Sequence, residues 1–405
     1  MRYYIGVDWA DAEHAVWVEA EHATLVTKRT VAQTAAGLSE WGRWLDERRA
    51  EGIDLWAAIE KPEGRIVDFL LDHGVLVFAV NPKAVDRARD RFRMSRAKSD
   101  PFDARGLATF LRTDHTHLAP LRPSSEAAQE LNGLTRDYVR HVPHQTRRLN
   151  QLTVTLKAYS PRGLELGGEL TSQWRRAFLH DFSTPAALAT LTERQWHRWG
   201  RAHRLSAARM AELWPVLQAP QIPVPPHVVR VHARRLGTLL PLLAAASSAV
   251  EAYPTAVTDF FGSMPTAEWA TSRPGASGTT VPRLYAELGD ADGRWQTFRH
   301  WPAPGGTVPV TERSGHSCLV KFRFAGHLHL RDAVQQFAFQ SLQHRTWARA
   351  YYDRCRQRDL SHHHALRSLA AKWLKIIFVL STRHIASDES YHLATIGRQH
   401  LQQPA

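Results

Sequence analysis

The chain has 405 residues, 43% of them hydrophobic, with 52 Lys and Arg against 39 Asp and Glu. At about 150 residues per domain, this length predicts two or three domains, each able to bury a core. An ordinary hydrophobic fraction excludes a wholly disordered or fibrous chain. No continuous apolar run approaches the roughly 18 residues that a membrane helix needs, and the N-terminus is typical of a strand. Two cysteines without CxxC spacing favour neither a zinc site nor a disulfide framework, so we expect a cytoplasmic protein with no membrane contact.

The net charge of +13 is concentrated in two segments. Residues 87–98 carry six cations and one acid, and residues 311–375 carry twelve cations and four acids, with aromatic residues interleaved in the second segment. Localised charge of this kind is typical of nucleic-acid binding, although two solvated helical faces have the same pattern. The candidate nucleic-acid-binding residues are Arg87, Arg89, Arg91, Arg93, Arg96, Lys98, Arg313, Lys321, Arg323 and Arg331.

The first 120 residues predict an α/β domain. Short β-branched and aromatic runs indicate strands at 2–9, 14–19, 24–31, 53–60 and 75–80. Helical patterns lie at 35–50 and 62–72, and Asn81-Pro82 starts another helix. Three strands followed by alternating helix and strand is the order of a ribonuclease-H-like domain with a mixed sheet buried on both faces.

The remaining chain predicts mainly helices. Prolines at 120 and 123 mark a boundary, and residues 121–250 show helical spacing typical of a spacer, a coiled coil or an antiparallel helix pair, which ends with a helix at 229–250. Residues 251–386 predict a mainly helical C-terminal domain, with one long amphipathic helix at 330–356 and a last helix at 362–379. Residues 387–405 form a tail.

Four acids occupy positions suited to metal binding. Asp8 ends the first strand and Glu60 ends the fourth, while Asp100 and Asp103 lie three residues apart and therefore share a helix face. Convergence of these carboxylates would supply the oxygen ligands that Mg²⁺ or Mn²⁺ prefers. Two such ions stabilise both the attacking and the leaving oxygen of a phosphodiester.

Simpler explanations exist for the same acids. Asp100 before Pro101 is a good helix N-cap, and Asp103 suits the first turn of a helix. Asp8 could cap a turn, and Glu60 could pair with Lys61 or Arg65. The neighbouring Asp11, Glu13 and Glu63 are expected to be surface residues.

Several short motifs, taken in their order and spacing, resemble the DEDD transposases of bacterial insertion sequences (insertion sequence family 110), whose N-terminal domain resembles the Holliday-junction resolvase RuvC. The resemblance covers about two-thirds of the chain, at both ends. Its N-terminal motifs are Ile5-Gly6-Val7-Asp8, Ile59-Glu60-Lys61-Pro62, Asn81-Pro82 and the segment from Lys98 to Arg105. Its C-terminal motifs are Pro274-Gly275, Glu287-Leu288-Gly289-Asp290, Gly305 to Gly315, Leu330-Arg331-Asp332-Ala333 and Trp347 to Tyr352.

The resemblance implies that Ser314 is a nucleophile that forms a serine–phosphate intermediate with DNA, together with metal-bound carboxylates at Asp8, Glu60, Asp100 and Asp103. It further implies a recombinase that acts on donor and target DNA, guided by a structured noncoding bridge RNA. The protein would be a nucleoid-associated homo-oligomer, either a dimer or a tetramer. The chain departs from the family at His316, where Lys is frequent, and at Ala325-Gly326-His327.

Two other functions remain open from the sequence. One is a metal-dependent, RuvC-like nuclease that resolves branched DNA by hydrolysis without a covalent intermediate. The other is a catalytically inactive nucleic-acid-binding scaffold. The run His362-His363-His364 is expected to be solvated or to contact phosphate, because consecutive helical residues point in different directions.

Overall fold

The computed structural model describes residues 1–62, 64–81, 85, 100–265, 278–290, 307, 310–314, 317–321, 327–383, 389–390 and 393. At 100, 310–314, 317–321 and 382 it describes the backbone and not the side chain. The chain divides into two compact units, Met1–Pro123 and Ser124–Ala405. The first unit ends in the proline-containing segment that predicted a boundary.

The N-terminal unit alternates strands and helices in the predicted order. Its strands are β1 (Arg2–Asp8), β2 (Glu13–Ala20), β3 (Leu25–Ala32), β4 (Asp54–Ile59) and β5 (Leu76–Ala79). Its helices are α1 (Ala35–Ala50), α2 (Arg65–Asp72) and α3 (Asp100–Asp114), followed by a 3₁₀ turn at His115–His117. The helix expected to begin at Asn81-Pro82 falls on residues 82–84 and 86–99, which lie outside the described residues.

The five strands form one mixed sheet in the order β3-β2-β1-β4-β5. The first three strands make an antiparallel meander, whereas β4 pairs in parallel with both β1 and β5. Helix α1 provides the long crossover that a parallel β1–β4 pair needs, and its N-terminus is capped by the side chain of Thr34. The predicted mixed sheet is confirmed.

Alternation along β1 divides the sheet into two packed faces. Ile5 and Val7 are fully buried in a core shared with helices α1 and α2. Tyr4 faces the other way and packs with Leu107 and Leu111 of helix α3. Burial on both faces explains why β1 reads as an almost continuous apolar run.

Helix α3 lies directly on β1 at Gly6. A Cβ atom at Gly6 would stand 1.8 Å from the carbonyl oxygen of Ala104 and 2.7 Å from the backbone nitrogen of Ala108. The far half of α3 is tied to β2 by buried Glu19, which accepts hydrogen bonds from Thr109 at 3.2 Å and Arg112 at 2.8 Å. The absence of a side chain at residue 6 therefore sets how closely the helix approaches the sheet.

In the C-terminal unit, two long helices form an antiparallel pair. They are α4 (Glu126–Tyr159) and α10 (Pro226–Gly262). His141 stacks on Tyr253 with ring centroids 5.3 Å apart, and Tyr159 stacks on His232 at 5.8 Å. The partners run in opposite directions along the sequence, so the two helices are antiparallel, which is one of the arrangements that the helical spacing allows. Helix α10 ends twelve residues later than predicted, so the expected break at 250 falls inside it.

By length and composition alone, helix α10 could cross a membrane, with an 18-residue window of mean hydropathy 1.3. The expectation from sequence concerns continuous apolar runs only, and α10 meets the criterion by its average hydropathy, because Ser, Thr and Pro interrupt the apolar run without lowering that average enough. In the structure α10 packs along α4 and buries Leu236, Leu240 and Leu243 in a shared core. These contacts hold one side of α10 against α4, and 28% of the apolar window is buried in the structure.

Five shorter helices connect α4 to α10. They are α5 (Arg162–Glu165), α6 (Gln173–Asp181), α7 (Pro185–Ala189), α8 (Glu193–Ala202) and α9 (Ala207–Gln218). Their core contains fully buried Trp196 and Phe178. The Trp196 indole N–H donates to the carbonyl of Met210 at 2.9 Å, which fixes α8 against α9.

The last part of the chain forms a helical core and a hairpin. Its elements are α11 (Thr280–Leu288), β6 (Val310–Ser314), β7 (Ser317–Lys321), α12 (Leu328–His344), α13 (Thr346–Gln357) and α14 (His362–Arg383). The prediction of one helix at 330–356 is wrong, because Arg345 is extended, with φ −138° and ψ 122°. The break lets Trp347 pack on Trp373 at 4.8 Å, while Arg345 bonds to Glu389.

Helix α11 is anchored by a buried carboxylate. The Glu287 side chain is 0% exposed and accepts two hydrogen bonds from Arg136 of α4, at 2.9 and 3.0 Å. Burial alone would raise the pKa of Glu287, but the hydrogen bonds and charge of Arg136, together with His327 and His329, hold that pKa below its usual value. The ionised pair therefore stabilises the folded state at neutral pH.

Gly6→Ala is expected to destabilise the N-terminal unit by about 2 kcal/mol or more, because the new methyl group meets backbone atoms of α3 that cannot rotate away. Urea unfolding followed by circular dichroism measures the loss. Gly133→Ala is the matched control, since nothing lies within 4 Å of its added Cβ. An equally stable Gly6→Ala protein would contradict the close approach of α3.

Glu287→Gln is expected to flatten the acid limb of the stability profile. The native pKa of Glu287 is depressed, so its contribution is present above the unfolded-state pKa of about 4.3 and is lost as the pH falls through the native pKa. Urea unfolding at pH 7 and pH 3 should show a smaller difference for the variant than for the wild type. Glu212→Gln, which alters an exposed pair with Arg209, should leave that difference unchanged.

Candidate active site

Two of the predicted acids lie at the ends of neighbouring parallel strands. Val7 pairs with Ile59 in the β1–β4 register, so Asp8 and Glu60 occupy the next position on each strand. The carboxyl ends of parallel strands lie at the same edge of a sheet. Both acids are half-buried at this edge.

Strand alternation places Asp8 on the face that carries helix α3, and continuing the alternation of β4 by one residue places Glu60 on the same face. Asp8 shares its side of β1 with Tyr4, and Glu60 continues the side of β4 that contains Ala58. Tyr4 and Ala58 belong to the core beneath α3, together with Leu107. The opposite face, filled by α1 and α2, receives neither acid.

The first turn of α3, which carries the third acid, lies against β1 near the same edge. Asp103 immediately precedes Ala104, whose carbonyl lies against Gly6, two residues before Asp8. Asp103 is also one turn before Leu107, which packs on the same face of the sheet. The backbone of Asp100 begins the helix, and its side chain is outside the described set. Strand pairing and helix packing therefore bring together the three elements that carry the four acids, which are β1, the end of β4 and the first turn of α3.

Asp8, Glu60 and Asp103 each interact with other groups of the protein. Among the side chains that the structure describes, a set that omits Asp100, no three His, Cys, Asp or Glu groups stand close enough to ligate one metal ion. The donor chemistry nevertheless suits a hard divalent cation, because every candidate ligand is a carboxylate oxygen.

Two polar contacts support the strand ends. The imidazole of buried His14 bonds to the side chain of Gln33, and its Nδ1 lies 3.4 Å from the backbone N–H of Ala10, in the loop that follows Asp8. The Lys61 ammonium lies 4.5 Å from the ring centroid of Trp9, which links the residues just past β4 and β1. Sequence inspection did not identify these supports, because each joins residues from different elements.

Ser314 is the last residue of β6. It pairs with Ser317, the first residue of β7, in the antiparallel register. The two serines therefore occupy equivalent positions on either side of the hairpin end. Side chains of both strands, including Arg313 and Lys321, lie outside the described set, as does the whole of Arg323.

The remaining predicted residues fall in different places. Arg331 lies in the first turn of α12 and is half-buried. The cations of residues 87–98 lie outside the described residues. His362 bonds to the Tyr352 hydroxyl at 2.7 Å at the start of α14, and His363 and His364 are exposed.

Comparison with known proteins gives matches at both ends of the chain. Residues 5–161 match the DEDD transposase family of IS110, and residues 267–353 match the family described as Transposase IS116/IS110/IS902. The first match contains Asp8, Glu60, Asp100 and Asp103, and the second contains Ser314.

Curated relatives agree with these matches. The chain is 33% identical over 386 residues to a Streptomyces coelicolor protein named as a mini-circle transposase for IS117, and the match covers 92% of each chain. It is 27% identical over 293 residues to an IS110 insertion-element protein of the same organism, covering 70% of each. A Sinorhizobium fredii protein named as a transposase is 33% identical over 204 residues, which is 50% of this chain and 57% of that one. The chain therefore belongs to the IS110 family of transposases, enzymes that cut and rejoin DNA.

Proposed function

We propose that this transposase cuts and rejoins donor and target DNA through a serine–phosphate intermediate at Ser314, with divalent ions bound by carboxylates of the N-terminal unit. The proposed metal ligands are Asp8, Glu60, Asp100 and Asp103. The observation that supports this most strongly is the position of α3, whose first turn lies over the parallel ends of β1 and β4 on the face that Asp8 and Glu60 share. The proposal includes a ribonuclease-H-like, RuvC-like fold for this unit.

The carboxylates suit Mg²⁺ or Mn²⁺ because both ions prefer oxygen ligands. When bound, such ions supply positive charge that stabilises the attacking and leaving oxygens of phosphoryl transfer. The role of the protein is to hold the acids on rigid elements. Asp8 is fixed by the central strand, and Asp103 is fixed by a helix packed against Gly6.

Serine chemistry conserves the phosphodiester bond. The Ser314 oxygen bonds to phosphorus while the bond from phosphorus to one DNA oxygen breaks, and that oxygen leaves as a DNA hydroxyl after taking up a proton. A hydroxyl of another DNA strand then attacks the same phosphorus, which releases the serine and completes strand exchange. Arg313, Lys321 and Arg323 are proposed to hold the scissile phosphate.

The proposal extends to the partners of the enzyme. Arg87, Arg89, Arg91, Arg93, Arg96, Lys98 and Arg331 are proposed to contact nucleic-acid backbone. The family resemblance supports a structured noncoding bridge RNA that pairs with both DNAs and so supplies sequence choice, which explains why the protein needs mainly backbone contacts. It also supports a nucleoid-associated dimer or tetramer.

Asp8→Asn, Glu60→Gln and Asp103→Asn are each expected to lower Mg²⁺-dependent cleavage of labelled donor DNA at least about 100-fold. Each change removes an anionic oxygen ligand while preserving side-chain size. Asp11→Asn and Glu13→Gln are matched controls, because both acids are exposed and lie within a few residues of Asp8. Full cleavage by Asp8→Asn at every Mg²⁺ concentration would refute the metal site and favour an inactive or differently built centre.

Ser314→Ala is expected to abolish the covalent protein–DNA adduct seen on denaturing gels with labelled donor DNA. The alanine has no hydroxyl to attack phosphorus, whereas binding of DNA and RNA should remain intact. Ser317→Ala, the residue opposite Ser314 in the hairpin, is the control and should keep the adduct. If Ser314→Ala still cuts DNA at the wild-type rate, water is the nucleophile and the enzyme is a hydrolytic nuclease.

A further inference from the structure

Helix α8, in the inserted helical region between α4 and α10, carries three exposed arginines on one side. They are Arg194, Arg198 and Arg201, and together we call them the α8 arginine stripe. At about 100° per residue, these positions fall within an arc of about 60°. Net charge summed over the chain conceals these cations, because acids elsewhere balance them.

The stripe lies opposite the buried side of the helix. Trp196 and Gly200 are buried, and Trp199 is half-buried with its ring stacked on His203 at 4.0 Å. A Cβ at Gly200 would stand 2.2 Å from the sulfur of Met210, so α8 sits close against α9. The arginines therefore project from a firmly packed platform.

A capping box fixes the start of the platform. The Thr192 hydroxyl accepts a hydrogen bond from the backbone N–H of Gln195, whose side chain in turn accepts from the backbone N–H of Thr192. The Trp199 indole N–H donates to Asp181 at 2.8 Å. Both ends of α8 are thus held, and the three guanidinium groups share one rigid support.

No member of the α8 arginine stripe forms an ion pair with any residue that the structure describes. Four of the five acids between 160 and 224 bond to another group, and the fifth, Glu193, lies 3.7 Å from the His197 imidazole. These contacts are Glu165 with Arg162, Glu212 with Arg209, Glu193 with His197, Asp181 with His180 and Glu169 with Thr171. Like charges three and four residues apart on a helix repel each other, and no described acid forms an ion pair with the stripe that would offset this repulsion.

A polyanion along the helix would neutralise this uncompensated charge. From Arg194 to Arg201 the stripe spans about 10 Å, which matches about three successive phosphates of one strand at about 3.4 Å each. Trp196 is buried, and the half-buried Trp199 is stacked on Trp196 and His203, which leaves little aromatic surface on α8 for unpaired bases to stack on. These features favour a duplex contacted through its backbone over a single strand.

We infer that the α8 arginine stripe binds the phosphate backbone of double-stranded DNA outside the reacting strands. The contact is independent of sequence and serves to hold the duplex on the inserted helical region. The inference rests on the proposed function in one respect, because a DNA-cutting enzyme makes DNA the polyanion that the stripe binds. It requires neither Ser314 nor the carboxylates.

The test compares full-length Arg194→Gln/Arg198→Gln/Arg201→Gln with the wild type, in binding of a fluorescent 40-base-pair DNA of unrelated sequence. Gln preserves helix propensity, so circular dichroism and the unfolding midpoint should be unchanged. Affinity at 100 mM salt should fall at least tenfold. The slope of log K against log salt should become shallower by about 2 to 3, at about 0.9 per phosphate contact.

The matched control is Arg48→Gln/Arg140→Gln/Arg349→Gln, which removes the same charge from arginines that pair with acids three or four residues away. It should change affinity less than twofold. Arg194→Lys/Arg198→Lys/Arg201→Lys should bind within about threefold of the wild type, since the charge is retained.

Equal loss of affinity in the stripe and control variants would overturn the inference, because it would show a general charge effect. Loss confined to single-stranded DNA or to double-stranded RNA of the same length would also overturn it. Donor cleavage by the Asp8→Asn and Ser314→Ala variants is measured separately. If cleavage contradicts the proposed chemistry but DNA binding still depends on the stripe, only the proposed chemistry is wrong. If cleavage behaves as proposed but DNA binding does not depend on the stripe, only the inference about the stripe is wrong.

Discussion

The contact between Gly6 of β1 and the backbone of α3 is the constraint on which the candidate site depends. An α-helix can rest this closely on a strand only where the strand has no side chain, and the nearest atoms here belong to the main chain at Ala104 and Ala108. The contact consequently lies next to Asp103 on the helix and two strand positions from Asp8 on β1. A larger residue at position 6 would lift the helix and move its acids away from the strand ends.

Buried carboxylates hold important elements in both units. Glu19 is 3% exposed and binds Arg112 and Thr109, which fixes the end of α3 that lies away from its acids. In the C-terminal unit, Glu287 and Arg136 connect α11 to α4. Removing one partner of such a pair leaves an uncompensated charge in a low-dielectric environment, which is strongly destabilising. The two ion pairs therefore fix the positions of the elements that they join. They do so without any role in the chemistry proposed for the acids at the sheet edge.

Prediction from sequence succeeded for elements that a local residue pattern determines. It failed where contacts between residues distant in sequence determine the structure. The strands and α1 follow from alternation and helical periodicity, and the helix pair follows from leucine spacing. The break at Arg345 was missed because it depends on packing of Trp347 against Trp373, and no glycine or proline marks it. The α8 arginine stripe was missed because net charge over a segment conceals cations that lack partners, and pairing is visible only in three dimensions.

The amino-acid sequence by itself determined the order of elements, the mixed sheet, the family motifs and the acids and serine proposed to act. These follow from local periodicity, residue chemistry and motif spacing. Tertiary structure alone decided that Asp8 and Glu60 share an edge and a face of the sheet, and that α3 meets them there. Strand pairing and helix docking join residues from different elements through close packing and buried hydrogen bonds, and the energy of those contacts depends on geometry that no local pattern contains.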